Sequence, residues 1–241
     1  EVRTLEELKM AGRTVRSVDL YDAFTARWLE RDKGKHALSP EDKRRVTEAL
    51  AHALWLDGAK EWKWEKLREW LGDSIAESRK LAAIHLQSPE SLERLEEDFR
   101  TATFVLRPDT SVQSFRFAHT SMQEYFLACH LHRSLLAGTA GEAWKLPRPS
   151  DETFAFLAEM IAREGEGLEA LEALLETRHP MAGENAFRYW LVAVQKGLPE
   201  PRPRHVDLSG ADLYQWENKG KEGSLLNLRG AEFSHSCLLS T

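Results

Sequence analysis

The spacing of the apolar residues changes along this chain of 241 residues, and each spacing predicts a different kind of structure. Before residue 101 the spacing is three to four residues, which is typical of helices. Residues 101–107 and 112–119 alternate with a period of two around the turn-forming stretch "PDTS", which predicts a β-hairpin. Helical spacing then returns, and a five-residue period begins near the C-terminal end. The chain is therefore predicted to be mainly α, with a β-hairpin in a winged-helix-like arrangement.

Start and stop signals support the helices of the first part. Ser39 and Pro40 are favourable at an N-cap and at a first helical position, and Gly58 is a favourable stop. The expected buried face of this helix contains Val46, Leu50, Ala53 and Leu54. An earlier helix is expected to bury a stripe formed by Leu20, Phe24 and Trp28. The same region contains four closely spaced tryptophans: Trp55, Trp62, Trp64 and Trp70. They are expected to pack in the core rather than to form a site that stacks on a ligand or cofactor.

The joint between the hairpin and the next helix contains a lone histidine, in the stretch "FRFAHTSMQEYFLACHL". Phe115, Phe117 and His119 have the same parity in the second strand, so His119 is expected to point inward and Arg116 outward. A capping box is predicted next, formed by Thr120 with Gln123 or by Ser121 with Glu124. The helix that follows is expected to bury Tyr125, Phe126, Cys129 and Leu136.

The rest of the chain divides into three parts. A helical connector is predicted over residues 138–198, after a first domain over residues 1–137. Its three helices have apolar stripes at Phe154, Leu157 and Ile161, at Leu168, Leu171 and Leu175, and at Phe187, Trp190, Leu191 and Val194. Residues 199–204 contain three prolines and predict an extended linker.

Residues 205–241 contain the five-residue period, in the blocks "VDLSG ADLYQ" and "LNLRG AEFSH". The same pentad position is occupied by Leu208, Leu213, Leu228, Phe233 and Leu238. This segment resembles the pentapeptide-repeat family, whose units coil as a right-handed β-helix with the central Leu or Phe inside. The resemblance implies the start of such a coil, with Ser209, Arg229 and Ser234 facing water, and a sequence that continues beyond Thr241. Residues 216–225 depart from the pattern, and they fit either a coil wall or a loop.

Composition and motifs argue against catalysis by this chain alone. The net charge of -6 gives no general attraction to nucleic acid, and two cysteines define no disulfide framework or zinc site, which fits a cytoplasmic protein. No apolar run is long enough for a membrane span. A P-loop is missing. Its motif, G-x-x-x-x-G-K-[ST], requires a glycine five residues before the Gly-Lys pair. At that position the pair Gly34-Lys35 has Leu29, and the pair Gly220-Lys221 has Gln215. His130 and His132 are two residues apart on a predicted helix, so they point to different faces and form a poor metal pair.

Three stretches resemble one family: "VDLYDAFTARWLERD", "LAHALW" and "DFRTATFVLRPDTSVQSFRFAHTSMQEYFLACHL". They are similar to the region that follows the nucleotide-binding core in NACHT-type signalling ATPases of the STAND class. Many bacterial members carry pentapeptide repeats afterwards. The resemblance implies that residues up to 137 form a winged-helix regulatory domain. It also implies that His119 contacts the β-phosphate of bound ADP in the resting state.

The resemblance also implies a function and partners. The chain is expected to be the regulatory and sensor-side portion of an ATPase switch, which holds an ADP-bound resting state and couples ligand sensing to oligomerisation, with a role in antiphage defence or signalling. Since the chain lacks an initiating Met, it is expected to be a piece of a longer protein. Its partners would be an upstream nucleotide-binding domain that binds ADP or ATP with Mg, and a protein trigger; no cofactor is expected in this chain alone.

Two alternatives come from other classes of protein. One is a DNA-binding winged-helix regulator, although the segment "PESLERLEEDFR" before the hairpin has five acidic and two basic residues, a charge of -5 + 2 = -3, which would repel phosphate. The other is a pentapeptide-repeat scaffold for protein interaction. The sequence upstream of Glu1 would discriminate between the classes.

Overall fold

The computed structural model describes residues 15–31, 39–77, 105–106, 114–211 and 231–232. Over these residues the chain is mainly helical with a small antiparallel sheet. Its elements are α1 Ser17–Arg31, α2 Pro40–Leu56, β1 Trp62–Lys63, α3 Trp64–Glu77, β2 Val105–Leu106, β3 Ser114–Phe117, α4 Thr120–Leu136, α5 Ala140–Ala143, α6 Asp151–Glu164, α7 Leu168–Glu176 and α8 Pro180–Lys196. Contacts divide the chain into a first unit that contains residues 19–123 and a second that contains residues 16–18 and 124–241. The division falls inside α4, and the domain boundary that the sequence predicts at residue 137 remains a prediction.

Helix α2 forms where the sequence predicts it. The Ser39 hydroxyl accepts a hydrogen bond from the Asp42 N–H at 3.1 Å, and Pro40 is the first helical residue. The helix ends at Leu56, and Gly58 adopts a positive φ of 63° that favours glycine. Of the expected buried face, Val46, Leu50 and Leu54 are buried and Ala53 is half-buried.

The predicted hairpin is present as β2 and β3, which pair antiparallel with Val105 opposite Phe117. A third strand, β1, was not predicted. It pairs antiparallel with β3, with Trp62 opposite Phe115, so the order across the sheet is β1-β3-β2.

The end of α2 is tied to β1 and α3. Asp57, which follows α2, accepts hydrogen bonds from the Trp62 indole at 2.7 Å and from the Lys66 ammonium at 2.6 Å. These bonds, with that of Lys66 the largest cause, lower the pKa of the Asp57 carboxyl. Trp62 and Trp64 are buried, and the Trp64 ring lies 5.4 Å from that of Phe115. The core role expected for the tryptophans is confirmed for these two.

Two predicted stripes are partly wrong. In α1, Trp28 is buried but Phe24 is 45% exposed, because the buried face runs through Val18, Thr25, Trp28 and Leu29 instead. In α4, Tyr125, Phe126 and Cys129 are buried as expected, whereas Leu136 in the last turn is 47% exposed.

The second unit contains the three helices predicted between residues 151 and 197. Ser150 caps α6 by accepting from the Thr153 N–H at 3.1 Å, and the stripe Phe154, Leu157 and Ile161 is fully buried. Helix α8 packs against α6 and α7. Its buried Asn185 donates to the carbonyl oxygens of Trp144 and Leu146, at 2.9 and 3.0 Å. These bonds join α8 to the loop that follows α5.

The proline-rich residues 199–204, which we name the strap, form no helix or strand. They are hydrogen-bonded to side chains of α7 and α8. The hydroxyl of Tyr189 donates to the carbonyl oxygen of Pro199 at 3.0 Å, and the indole of Trp190 donates to the Glu200 carboxylate at 3.1 Å. Two backbone N–H groups of the strap donate to carboxylates on α7: Arg202 to Glu172 at 2.8 Å and Arg204 to Glu176 at 2.6 Å. The strap is therefore docked along the helices rather than a free linker.

The first pentad pairs with a later one. The Glu232 N–H donates to the Val206 carbonyl at 2.8 Å, and the Leu208 N–H donates to the Glu232 carbonyl at 2.9 Å, which forms a parallel bridge at Asp207. Asp207 and Glu232 are 232 - 207 = 25 residues apart, which is five pentads, so the two blocks pair in phase.

Burial in the first pentad agrees with part of the sequence prediction. Val206, Leu208 and Ala211 are buried, as expected for Leu208. Ser209 was expected to face water, but it is buried beside Asp207, whose carboxylate accepts from the Ser209 N–H at 2.9 Å. The other predicted inward residues, Leu213, Leu228, Phe233 and Leu238, lie outside the described residues, as do Arg229 and Ser234.

Candidate functional site

His119 is at the point where the sheet gives way to helix α4. Strand β3 ends at Phe117, two residues earlier, and α4 begins at Thr120. The carbonyl oxygen of His119 accepts hydrogen bonds from the N–H groups of Met122 and Gln123, at 3.0 and 3.4 Å. His119 is therefore the N-cap residue of α4, and Thr120 is the first helical residue rather than the cap of a capping box.

The His119 side chain is exposed, although the sequence predicts that it points inward. The alternation of faces holds while the strand lasts, since Phe115 and Phe117 are buried and Arg116 is exposed. It fails at His119 because Ala118 and His119 form a bend outside the strand. Parity predicts side-chain direction only for residues in extended conformation.

The surroundings of His119 are compatible with an anionic ligand. Within the part of the chain that the structure describes, no hydrogen bond or ion pair joins its imidazole to another side chain. The N–H groups of Thr120 and Ser121, which precede the donors Met122 and Gln123, have no acceptor within the helix, and the helix dipole adds positive potential at this end. An imidazole and a helix N-terminus at one exposed joint form a surface that a phosphate group could approach.

His119 does not lie in an enclosed cavity of the described residues. An apolar depression in the first unit is lined by Leu50, Leu54, Trp62, Leu67, Phe115, Arg116 and Phe117, and it has no room for a water molecule. It is the packed core around the sheet, and His119 is not among its lining residues. A ligand at His119 would therefore need further walls beyond those that the described residues supply.

A second histidine is buried in the second unit. His132 lies on α4, with its Nδ1 3.7 Å from a carboxylate oxygen of Glu164, and among the described residues its Nε2 has no hydrogen-bond partner. Burial lowers the pKa of this imidazole, and the carboxylate of Glu164 opposes that effect only in part. The sequence pattern predicts no role for His132 beyond a poor metal pair with His130. The spacing of Tyr125, Cys129 and His132, four and three residues apart, would have placed it on the buried stripe of α4.

Metal and membrane sites find no support in the described residues. No three His, Cys, Asp or Glu side chains there group so that they could hold a metal ion. Over the same ranges, no helix combines the length and the apolar character that crossing a bilayer requires. Searches against protein-family models, curated proteins and solved structures find no match to this chain.

Proposed function

We propose that this chain is the regulatory and sensor-side portion of a NACHT-type (STAND) ATPase switch, in which the first unit is a winged-helix domain and His119 contacts ADP. The observation that carries the proposal is the exposed His119 at the N-terminus of α4, directly after the hairpin. An imidazole donor and the N–H groups of a helix end together suit the β-phosphate of a nucleotide.

The topology of the first unit supports the winged-helix part of the proposal. Strand β1 lies between helices α2 and α3, and the hairpin strands come later, with the order β1-β3-β2 across the sheet. Helices followed by a hairpin form the arrangement that the sequence predicts for a winged helix, and β1 adds a third strand beside β3.

The pairing of Val206–Leu208 with Glu232 supports the pentapeptide-repeat part. Parallel pairing in phase, with a buried Leu208, is what a right-handed coil of pentads requires. We propose that the coil serves the sensor side of the switch.

In the proposed mechanism, His119 stabilises the closed state by donating to ADP held by an upstream nucleotide-binding domain of the same protein. A trigger that binds downstream elements would favour the open state, and subunits would then oligomerise. Mg would accompany the nucleotide in that upstream domain. The expected setting is bacterial antiphage defence or signalling.

The test is His119→Leu in the full-length protein. Loss of one charge-assisted hydrogen bond, worth about 1.5–3 kcal/mol, should raise the ADP off-rate about 10- to 100-fold and increase trigger-free oligomerisation. Because the His119 side chain is exposed and unbonded within the described residues, the melting temperature without nucleotide should not change.

The exposed His205 offers a matched control, since His205→Leu makes the same change in the second unit. It should leave the ADP off-rate unaltered. A lower nucleotide-free melting temperature for His119→Leu, with an unchanged ADP off-rate, would make His119 a structural residue and remove the switch role.

A further inference from the structure

The first pentad strand, Val206–Leu208, has two backbone edges, and both are occupied. The carbonyl of Val206 and the N–H of Leu208 pair with Glu232 at one edge. Backbone groups alternate in direction along a strand, so the N–H and carbonyl of Asp207 belong to the other edge. There the Asp207 N–H donates to the carbonyl oxygen of Leu175, in the last turn of α7, at 2.7 Å.

Glycines allow this close approach between the helices and the strand. A Cβ at Gly183, in the first turns of α8, would lie 3.3 Å from the carbonyl oxygen of Leu174 and 3.8 Å from that of Asp207. Gly210, with a φ of 80°, lies against Pro180, and a Cβ there would be 3.5 Å from the proline ring. The end of α7, the start of α8 and residues 206–210 therefore meet almost backbone to backbone.

We propose that the corner between α7 and α8 caps the pentad segment. It covers the Asp207 edge of the first strand, which would otherwise be open to pairing with a strand of another molecule. Stacked repeats need an end that closes their hydrogen-bonding edge, and here helices provide it. The occupant of the corner is this chain's own first pentad, and the proposal does not depend on nucleotide binding.

The strap contributes to the cap by holding the first pentad in register. Its N–H groups at Arg202 and Arg204 bind carboxylates one helical turn apart on α7, Glu172 and Glu176. The next residues bring Asp207 to the carbonyl of Leu175 on the same helix. Release of the strap should therefore loosen the first pentad as well.

The cap can be tested with Gly183→Leu, followed by amide hydrogen exchange at Asp207 and Leu208. The added side chain should force the strand away from the corner, so both amides should exchange about tenfold faster or more. Faster exchange at Asp207 alone would overturn the proposal, because the Leu208–Glu232 pairing would then persist without the helices. Unchanged exchange at both amides would overturn it too.

A matched control and a second variant separate the cap from general damage. At Gly141, in α5 of the same unit, a Cβ meets nothing within 4 Å, so Gly141→Leu should leave both amides protected. An equal effect at Gly141 would contradict the proposal. The double variant E172A/E176A keeps α7 helical but removes both acceptors of the strap, and it should also speed exchange at Asp207 and Leu208. If Gly183→Leu does not fold, this double variant decides the question by the same two amides.

Discussion

At the scale of single residues, two histidines 13 positions apart, His119 at the N-cap of α4 and His132 within that helix, have opposite environments. His119 caps α4 with its carbonyl and exposes its imidazole, which leaves the ring available to a ligand. His132 is buried, and within the described residues its Nε2 has no hydrogen-bond partner. The difference follows from position: one residue ends a bend, and the other lies on the apolar stripe of the helix. The buried imidazole of His132 should couple protonation to folding.

The stability of the second unit should fall as the pH falls below about 6.5, and His132 should be one cause. Burial holds the pKa of His132 below its ordinary value of 6.5, so the unfolded chain binds a proton at a pH where the folded chain does not. Above pH 6.5 His132 is neutral in both the folded and the unfolded chain, and it causes no loss of stability. The loss of stability begins near pH 6.5 and grows until the pH passes the pKa of His132 in the folded chain. Urea unfolding at pH 7.5 and 5.5 would measure it.

The variant His132→Leu removes this titration, so its stability should change less between pH 7.5 and 5.5 than that of the unmodified chain. His130→Leu on the same helix keeps the buried imidazole of His132, so it should retain the contribution of His132 to the pH dependence. Groups facing His132 also titrate or carry charge, namely Glu164, Arg163 and Glu166. An identical pH dependence in all three proteins would therefore assign the effect to those groups.

At the scale of elements, local signals in the sequence predict some features and tertiary contacts decide others. The cap Ser39 predicts the start of α2, because capping depends on residues within one turn. Strand β1 could not be predicted, since its two residues become a strand only by pairing with β3, more than 50 residues later. The local pattern predicts the position of His119 at the joint between strand and helix. It does not predict the bend at Ala118 and His119 that exposes the His119 side chain.

Asn185 should be a major contributor to the stability of the second unit. Its side chain is buried and satisfies the carbonyls of Trp144 and Leu146, so Asn185→Ala leaves two buried acceptors without their donor. The expected loss in the free energy of unfolding is about 2–4 kcal/mol. Urea denaturation would measure this loss. The exposed Gln195 on the same helix gives the control, and Gln195→Ala should cost less than about 0.5 kcal/mol.

Leu208 should be essential to the first pentad. It is 1% exposed, so Leu208→Asp would bury a carboxylate without a partner and cost several kcal/mol locally. Limited proteolysis should then cleave near residues 205–211 faster, while α6 and α8 remain protected. The neighbouring His205 is exposed, and His205→Asp should leave the cleavage rate unchanged. Equal cleavage of the two variants would contradict an inward Leu208.

At the scale of the whole molecule, the described helices and sheet form two units, each with its own apolar core. The core of the first unit surrounds a three-stranded sheet, and that of the second lies among α4, α6, α7 and α8 and extends to the first pentad. Among the described residues, the depression beside the sheet has no room for a water molecule. The proposed ligand contact of the first unit is at the exposed His119, whereas the α7–α8 corner is covered by the first pentad of the same chain.

The purified chain should neither hydrolyse ATP nor bind duplex DNA in a sequence-dependent manner. It lacks the P-loop sequence that positions triphosphates, and its net charge is -6. The segment "PESLERLEEDFR", which a DNA-binding winged helix would present to the groove, carries -5 + 2 = -3 and would repel the phosphate backbone. Phosphate-release assays and gel-shift titrations at physiological salt would test both statements. Turnover that survives stringent purification would contradict the first. A shift specific to one DNA sequence would contradict the second, and it would favour a DNA-binding regulator over the proposed switch.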